Sequence, residues 1–391
     1  MVGKLDQADW TRRGDLAALV RALGADNIRW VGGAVRDTLL SAPVNDVDAA
    51  TPFHPDQIMR LLKDAGIRTV PTGIDHGTIT ALLDGGPVEV TTLRRDIATD
   101  GRRATVAFAK EWREDAARRD FTINALFAHP ETLEISDYFG GLRDLKARRV
   151  RFIGDARERI HEDHLRILRY YRFQARFGAE LDEAAEEACA DLAETMKGLS
   201  RERVAAEMLA ILGLPDPAPT IARMHRRGVL QVILPETTPA QIASLKALIM
   251  HEQTLDIEPT ALRRLSALLP AIPNVAEAAA ARLRLSRKQR AHLSCVAART
   301  DADAGRPRSL AYEEGIDVAR DRLLLAGAPL DALNGWKAPQ LPLKGGEIVQ
   351  RGLATGPEVA RLLQTVEAQW VEEGFPDRAR VEVILDELSS S

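Results

Sequence analysis

From Trp30 to Thr51 the chain reads WVGGAVRDTLLSAPVNDVDAAT. Two adjacent glycines, Gly32 and Gly33, separate a short apolar run at 27–31 from a helical pattern at 34–40. Glycines at the entry to a helix let backbone N–H groups approach a phosphate, and the helix start adds favourable partial charge. No G-K-[ST] follows, so this is not a P-loop, and the third glycine of a dinucleotide fingerprint is absent. Residues 44–50 alternate polar and apolar, as a strand does. Side chains at i and i+2 of a strand share a face, so Asp46 and Asp48 are expected to project together. Two hard oxygen ligands at that spacing suit Mg²⁺, which takes one or two carboxylates plus substrate phosphates. A lone D-x-D is more often a solvated pair. Beside a phosphate-compatible turn it points to a metal-bound polyphosphate.

Moving outward, PVEVTT places Glu89 in another strand, the second half of a hairpin formed by 78–83 and 88–93 around Asp84-Gly85-Gly86. Three carboxylates on neighbouring strands could hold two metals. The plain alternative for Glu89 is an exposed residue on an edge strand. The segment RRDFTINALF then supplies Arg118, Arg119, Asp120, Thr122 and Asn124 ahead of an apolar run. Asp120 has the chemistry to accept from a ribose hydroxyl and Arg119 to clamp phosphate or base, although Asp120 or Thr122 could equally be a helix N-cap. In RIHEDHLRILRYYRFQARFG, Asp163 and Arg166 stand at i and i+3 of an expected helix spanning 155–177, so they share a face. Arg169, Arg172 and Arg176 continue the charge. A carboxylate beside a guanidinium offers the acceptor and donors that reading a nucleobase edge requires. A surface ion pair is the rival explanation.

The whole-chain properties set limits. With 391 residues the chain has room for two or three domains, and 45% hydrophobic with 28% charged residues is ordinary for a globular protein. The net charge of −4 hides a local excess: Arg143 to Arg176 holds eleven Lys or Arg against five Asp or Glu. Such a field attracts phosphate-rich ligands even on an acidic chain. Cys189 and Cys295 lack metal-ligand spacing and read as buried residues of a reducing compartment. The opening MVGKLDQADWTRRGD has no apolar core, so no secretory signal is expected. No run approaches the roughly 18 apolar residues that span a membrane. A cytoplasmic enzyme is the expectation. After about residue 150 the short β-like runs give way to Ala- and Leu-rich helical segments that continue to the C-terminus.

The matches GGAVRD with NDVD, then HGTI and VEVTTLRRD, RRDFTINAL and GDARERIHEDHLRILRYYRF resemble the bacterial-type (class II) tRNA nucleotidyltransferase and poly(A) polymerase family. The likeness is dense over residues 28–180 and thinner through LSRERVAAEML. It implies an α+β fold: a polymerase-β-like mixed-sheet head at 1–150, a helical neck for nucleobase recognition at 151–215, and a helical body and tail for tRNA binding at 216–391, the helical part elongated. It also implies template-independent addition of C, C and A to the 3′ end of tRNA from CTP and ATP, with Mg²⁺ as cofactor and no obligate protein partner. By position, Asp46 and Asp48 match metal-holding residues, and Gly33 and Arg36 match triphosphate contacts, with Gly32 beside them expected to bind nucleotide as well. Arg119 and Asp120 match residues near base and ribose, and Asn124 in the same motif is expected to bind nucleotide with them. Asp163 and Arg166 match the pair that reads the incoming base, and Arg169 and Arg172 match further nucleotide contacts. Glu89 matches an acidic catalytic position of the wider superfamily.

Poly(A) polymerase shares the head motifs, but this chain ends EVILDELSSS, without a strongly basic tail. A CC-adding or A-adding specialist is the other relative to separate. LRRDIATDGRRATVAFAK, Leu93–Lys110, resembles the flexible loop needed for the final A and is expected to be a mobile charged loop hinged near Gly101. A catalytically dead RNA-binding module would not need the carboxylate pair, and a small-molecule nucleotidyltransferase would not need the helical arm. No His-Asp dipeptide occurs, so no HD phosphohydrolase domain is expected.

Overall fold

The computed structural model describes residues 3–100, 103–352 and 355–389, with side chains throughout except at 96–100 and 103–106. It divides into two compact units, one of residues 1–211 with 219–233, the other of 212–218 with 234–391.

Ten strands are found among the described residues of the first unit: β1 (Gly3–Lys4), β2 (Arg29–Val31), β3 (Val47–Thr51), β4 (Arg68–Gly73), β5 (Thr78–Leu83), β6 (Gly86–Thr92), β7 (Arg94–Asp100), β8 (Arg103–Phe108), β9 (Leu126–Ala128) and β10 (Glu134–Asp137). Eight of them make one mixed sheet in the order β1-β10-β9-β2-β3-β6-β5-β4. Central β3 runs antiparallel to β2 and parallel to β6. Val47, Ala49, Ile79, Ala81, Val88 and Val90 are all buried on one face; α3 (Pro55–Asp64) packs on β4 and β5 and against α1 (Gly14–Leu23), and α2 (Gly33–Leu39) packs on β2, β3 and β9. On the opposite face Val31, Ala50 and Phe127 are covered by Leu93, Ala109 and Ala116, the last from α4 (Trp112–Ala117).

Two expectations about this sheet need correction. The β3 strand starts at Val47, so Asp46 lies just before it and its position is not set by strand alternation. Gly32, at φ 67°, turns β2 out of the sheet beyond Val31, which pairs with Asp48. On the other side, the place opposite Asp46 falls to Pro87, which has no N–H to extend the ladder. The stretch 93–110 is not a loop either, since β7 and β8 pair as an antiparallel two-stranded sheet with a register shift between Asp96 and Ala98. The proposed hinge at Gly101, and Arg102 beside it, lie outside the described residues.

The first unit continues with α5 (Gly141–Lys146), α6 (Ala156–Glu162), α7 (Arg166–Phe177), α8 (Glu183–Asp191) and α9 (Arg201–Leu212). A single helix over 155–177 does not form. Asp163 is extended (φ −150°, ψ 104°) and its Oδ1 accepts the Leu165 N–H at 3.1 Å, an Asp side chain competing with the helix ladder. Asp163 and Arg166 therefore do not share a helix face: one ends α6 and the other begins α7. Within α7, Leu168, Tyr170, Tyr171 and Phe173 are buried, as its apolar stripe requires.

The second unit is helical among its described residues, with Pro239–Thr254, Ala261–Ala267, Arg287–Ala297 and Ile316–Leu325 around its core. Val366, Trp370, Val381 and Ile384 form a further apolar cluster near its C-terminal end. No helix among the described residues is long and apolar enough to cross a membrane.

Candidate active site

A cavity of about 360 Å³ opens in the first unit, lined by Gly32, Gly33, Arg36, Asp48, Arg118, Arg119, Asp120, Asn124, Asp163, Arg166, Arg169 and Phe173. Five guanidiniums and three carboxylates meet there, an excess of positive charge suited to a polyphosphate.

Each cation is held from behind. Asp115, 1% exposed, takes Arg118 on Oδ1 (Nη2 at 2.7 Å) and Arg119 on Oδ2 (Nη2 at 3.1 Å). One buried carboxylate thus aims two guanidiniums, and Arg119 also lies over the Phe127 ring. Burial pushes Arg118 down to about 10, against the pull of Asp115. It remains charged at neutral pH.

Arg36 is buried between the Phe173 and Phe177 rings, donating from Nε to Asp37 (2.8 Å) and from Nη1 to the Asn124 side-chain oxygen (2.6 Å). Asn124 donates in turn to Asp120 Oδ1 (2.9 Å), whose Oδ2 accepts Arg169 Nε (2.8 Å) and Nη2 (2.5 Å). Burial works against the charge on Asp120, but Arg169 and the donated hydrogen bonds outweigh it and hold the carboxyl below its ordinary range. Asp120 is therefore a tie between the sheet domain and α7. Neither it nor Thr122 is the N-cap of the 3₁₀ turn at Thr122–Asn124, a place taken by Phe121.

At the other wall, Asp163 Oδ2 accepts Arg203 Nη2 at 2.8 Å. Arg166 donates to the Arg159 and Arg118 carbonyls (2.9 and 3.2 Å) and pairs with Glu162. The two are partners of other groups that face one space. Arg172 does not line the cavity; it donates to Glu207 at 2.7 Å.

Asp48 and Glu89 are directly paired across β3 and β6. Burial first, then Glu89 and Asp46, push the Asp48 carboxyl up to about 6, with Arg119 opposing. Like charges crowded this way are what a divalent cation relieves, and hard oxygen donors suit one. Asp48, with Asp46 two residues before it, supplies donors of that kind. Among the described residues no group of three or more His, Cys, Asp or Glu is arranged as a metal site. Asp46 and Glu89 do not line the cavity.

Three residues carry more than the sequence reading gave them. Arg118 stands in a quoted motif without an assigned role, Asp115 orients the arginine pair, and Phe173 forms cavity wall. The signal for Phe173 was present in RYYRFQARF, where aromatics alternate with arginines that stack on them.

The mixed sheet, glycine turn, carboxylate pair and arginine cavity define a nucleotidyltransferase with a polymerase-type head. Family descriptions agree: "Poly A polymerase head domain" matches residues 28–151 and "Probable RNA and SrmB- binding site of polymerase A" matches 178–241. The chain is 35% identical over 382 residues to mouse (Mus musculus) "CCA tRNA nucleotidyltransferase 1, mitochondrial", covering 92% of this chain and 87% of the relative. It is 41% identical over 204 residues to the "CCA-adding enzyme" of Levilactobacillus brevis, about half of each chain (52% and 50%). A crystal structure of the Bacillus stearothermophilus CCA-adding enzyme in complex with CTP superposes with a TM-score of 0.72 at 23% identity, covering 96% and 97% of the two chains, which establishes the shared fold. The chain belongs to the CCA tRNA nucleotidyltransferase family.

Proposed function

We propose that the protein adds C, C and A to the 3′ end of tRNA from CTP and ATP, releasing pyrophosphate. The observation that carries this is the convergence of Asp48, five arginines and the Asp163 carboxylate on one cavity. In the reaction the terminal 3′-oxygen bonds to the α-phosphorus, the bond to the β-phosphate bridging oxygen breaks, and the hydroxyl proton goes to solvent. Asp46 and Asp48 would hold Mg²⁺, which when bound neutralises phosphate charge and acidifies the attacking hydroxyl. Arg36, Arg118 and Arg119, fixed by Asp37, Asn124 and Asp115, receive the triphosphate with donors that need no reorganisation. Gly32 and Gly33 line the same cavity beside them. Glu89 adds negative charge next to Asp48.

Asp163 and Arg166 read the base edge, Asp163 oriented by Arg203 and Arg166 by backbone carbonyls. Arg169, Asp120 and Asn124 hold that wall against the sheet, and Arg172 supports it through Glu207. Residues 1–150 then perform transfer, 151–215 select the nucleotide, and 216–391 grip tRNA by shape and backbone. The cytoplasm is the compartment proposed, consistent with free Cys189 and Cys295.

The test is tRNA lacking its 3′ end, incubated with single and paired nucleotides and resolved at single-nucleotide length. Two additions with CTP alone and three with CTP plus ATP are expected. Long tracts from ATP alone would instead mean poly(A) synthesis.

A further inference from the structure

Among the described residues, one face of the sheet is covered on only half its width. Strand register sets a straight row of same-face residues: Phe127, Val31, Asp48, Glu89, Thr80 and Val70, from β9 across to β4. The Phe127–Val31 end is the arginine side, capped by α4 and bearing Arg119 on the Phe127 ring. At the β6-β5-β4 end, Glu89 and Val70 are exposed while Thr80 between them is buried, and α3 packs behind the sheet. Asp48 marks the divide.

The chemistry makes that divide directional. Phosphoryl displacement is in line, so the attacking oxygen comes from the side opposite the leaving pyrophosphate. With the phosphate-binding arginines on the β9-β2 side of Asp48, the attacking 3′-hydroxyl arrives over β6, β5 and β4. What stands there is hydroxyl-rich. Thr72 and Thr80 are hydrogen-bonded at 2.7 Å, and Thr78 and Thr91 at 3.1 Å, the two pairs flanking Glu89 on this face. Each pair spends one hydroxyl hydrogen internally, leaving one hydrogen and several lone pairs for a ligand. Hydroxyls beside a carboxylate suit a neutral polyol better than a phosphate. The RNA end presents one: the vicinal 2′- and 3′-hydroxyls of its terminal ribose.

We propose that this half of the sheet binds the terminal ribose of the RNA acceptor and reads its 2′-hydroxyl, with exposed Thr72 and Glu89 facing the ribose and buried Thr80 holding the Thr72 hydroxyl in place. This rests on the nucleotidyl transfer proposed above and assigns its second substrate a seat. The Thr72–Thr80 pair on β4 and β5 thereby distinguishes an RNA end from a DNA end, Thr80 acting as a positioning residue.

The experiment uses the full chain and two acceptors, tRNA ending in an ordinary ribose and the same tRNA with a 2′-deoxy terminal nucleotide. For the wild type, KM for the deoxy acceptor should rise roughly 3- to 10-fold, the worth of one neutral hydrogen bond. Thr72→Val and Thr80→Val should raise KM for the ribose acceptor and abolish the ribose–deoxy difference. KM for CTP should stay within twofold. Thr72→Ser, which keeps the hydroxyl, should restore discrimination and separates recognition from mere folding. A ribose–deoxy difference that persists undiminished in both valine variants overturns the proposal, as does a KM change confined to CTP. Wild-type protein that adds nothing to the ribose acceptor would instead remove the function on which the proposal stands.

Discussion

Both compact units bury arginines against carboxylates, yet they leave those arginines in different states. In the second unit Arg264, 2% exposed, donates to Glu252 (2.9 Å) and to the Leu212 and Pro215 carbonyls (2.8 and 3.2 Å). Arg263 reaches Asp321 (2.6 Å) and the other Glu252 oxygen (2.7 Å), and His292 closes the far side of Asp321 at 2.8 Å. Those charges are turned on one another. In the first unit Asp115 and Asp120 also clamp arginines, but Arg118, Arg119 and Arg169 still border open space. A guanidinium has five donors. When carboxylates and carbonyls absorb most of them the group is structural, and when they fix only its orientation it remains available to a ligand.

Substitutions in the two regions should therefore fail differently. Asp48→Ala should lower nucleotide addition by at least about 10³-fold, the scale of losing a preorganised charged group at a transferring centre. Its unfolding midpoint should not fall. Turnover near wild type with Mg²⁺ present would remove Asp48 from the reaction. Arg264→Ala leaves Glu252 buried and half paired, and such a loss costs about 3–5 kcal/mol. Urea unfolding followed by circular dichroism measures it. A change below about 1 kcal/mol would mean that the network contributes little to stability.

The contrast also explains what could be read in the sequence. The head was legible because its chemistry is local: GGAVRD, NDVD and RRDFTIN each place partners within a few residues. Local rules failed in the head where Pro87 and Gly32 shortened β3 ahead of Asp46, and beyond it where a polar side chain displaced a ladder, as Asp163 did in ending α6. The deeper ties were invisible because they join distant positions. Asp120 meets Arg169 across 49 residues and Arg36 meets Asn124 across 88. Helical composition marked the second unit as helical without placing its helices, and nothing in it pairs Arg263 with Asp321, 58 residues on.

A narrower comparison lies within the cavity, between the residues that read a base and those that hold phosphate. Asp163→Ala or Arg166→Ala should relax selection of CTP and ATP over UTP and GTP by about 10²-fold while changing triphosphate affinity less. A site built to hydrogen-bond its ligand rejects a wrong partner because buried polar groups are then left unpaired. Competition assays at equal nucleotide concentrations provide the measurement. Arg203→Ala should reproduce part of the Asp163 defect, since Arg203 Nη2 orients that carboxylate. Unchanged selectivity in all three would return Asp163 to a purely structural pairing.

The smallest effect expected is a stability change with pH, and it separates the two regions by sign. In the second unit Asp303 is held below the ordinary carboxylate range: burial opposes ionisation, but hydrogen bonds from Arg322 and Thr300 win. Its ionised form favours the fold, so that stabilisation is present above the unfolded pKa and fades as acid protonates it. Asp48 does the reverse. Its folded pKa of about 6 stands above the unfolded value of 3.8, because burial, Glu89 and Asp46 oppose its charge more than Arg119 favours it. Below about pH 4 it is protonated in both states and contributes nothing. As pH rises from there through 6 the unfolded chain ionises first, and the folded protein loses stability that it does not regain at higher pH. A shift of about two units corresponds to at most about 3 kcal/mol, and partial solvent access should reduce this to about 1–2 kcal/mol. In buffer with a chelator, Asp48→Asn should therefore match the wild type near pH 3.5 and exceed its stability by that amount at pH 8. Millimolar Mg²⁺ should close the gap at pH 8 by stabilising only the wild type, as an ion bound to the native carboxylates must. Equal stability of variant and wild type at pH 8 without the metal would show that the carboxyl is not strained by its neighbours, and with it would go the physical reason for placing a cation there.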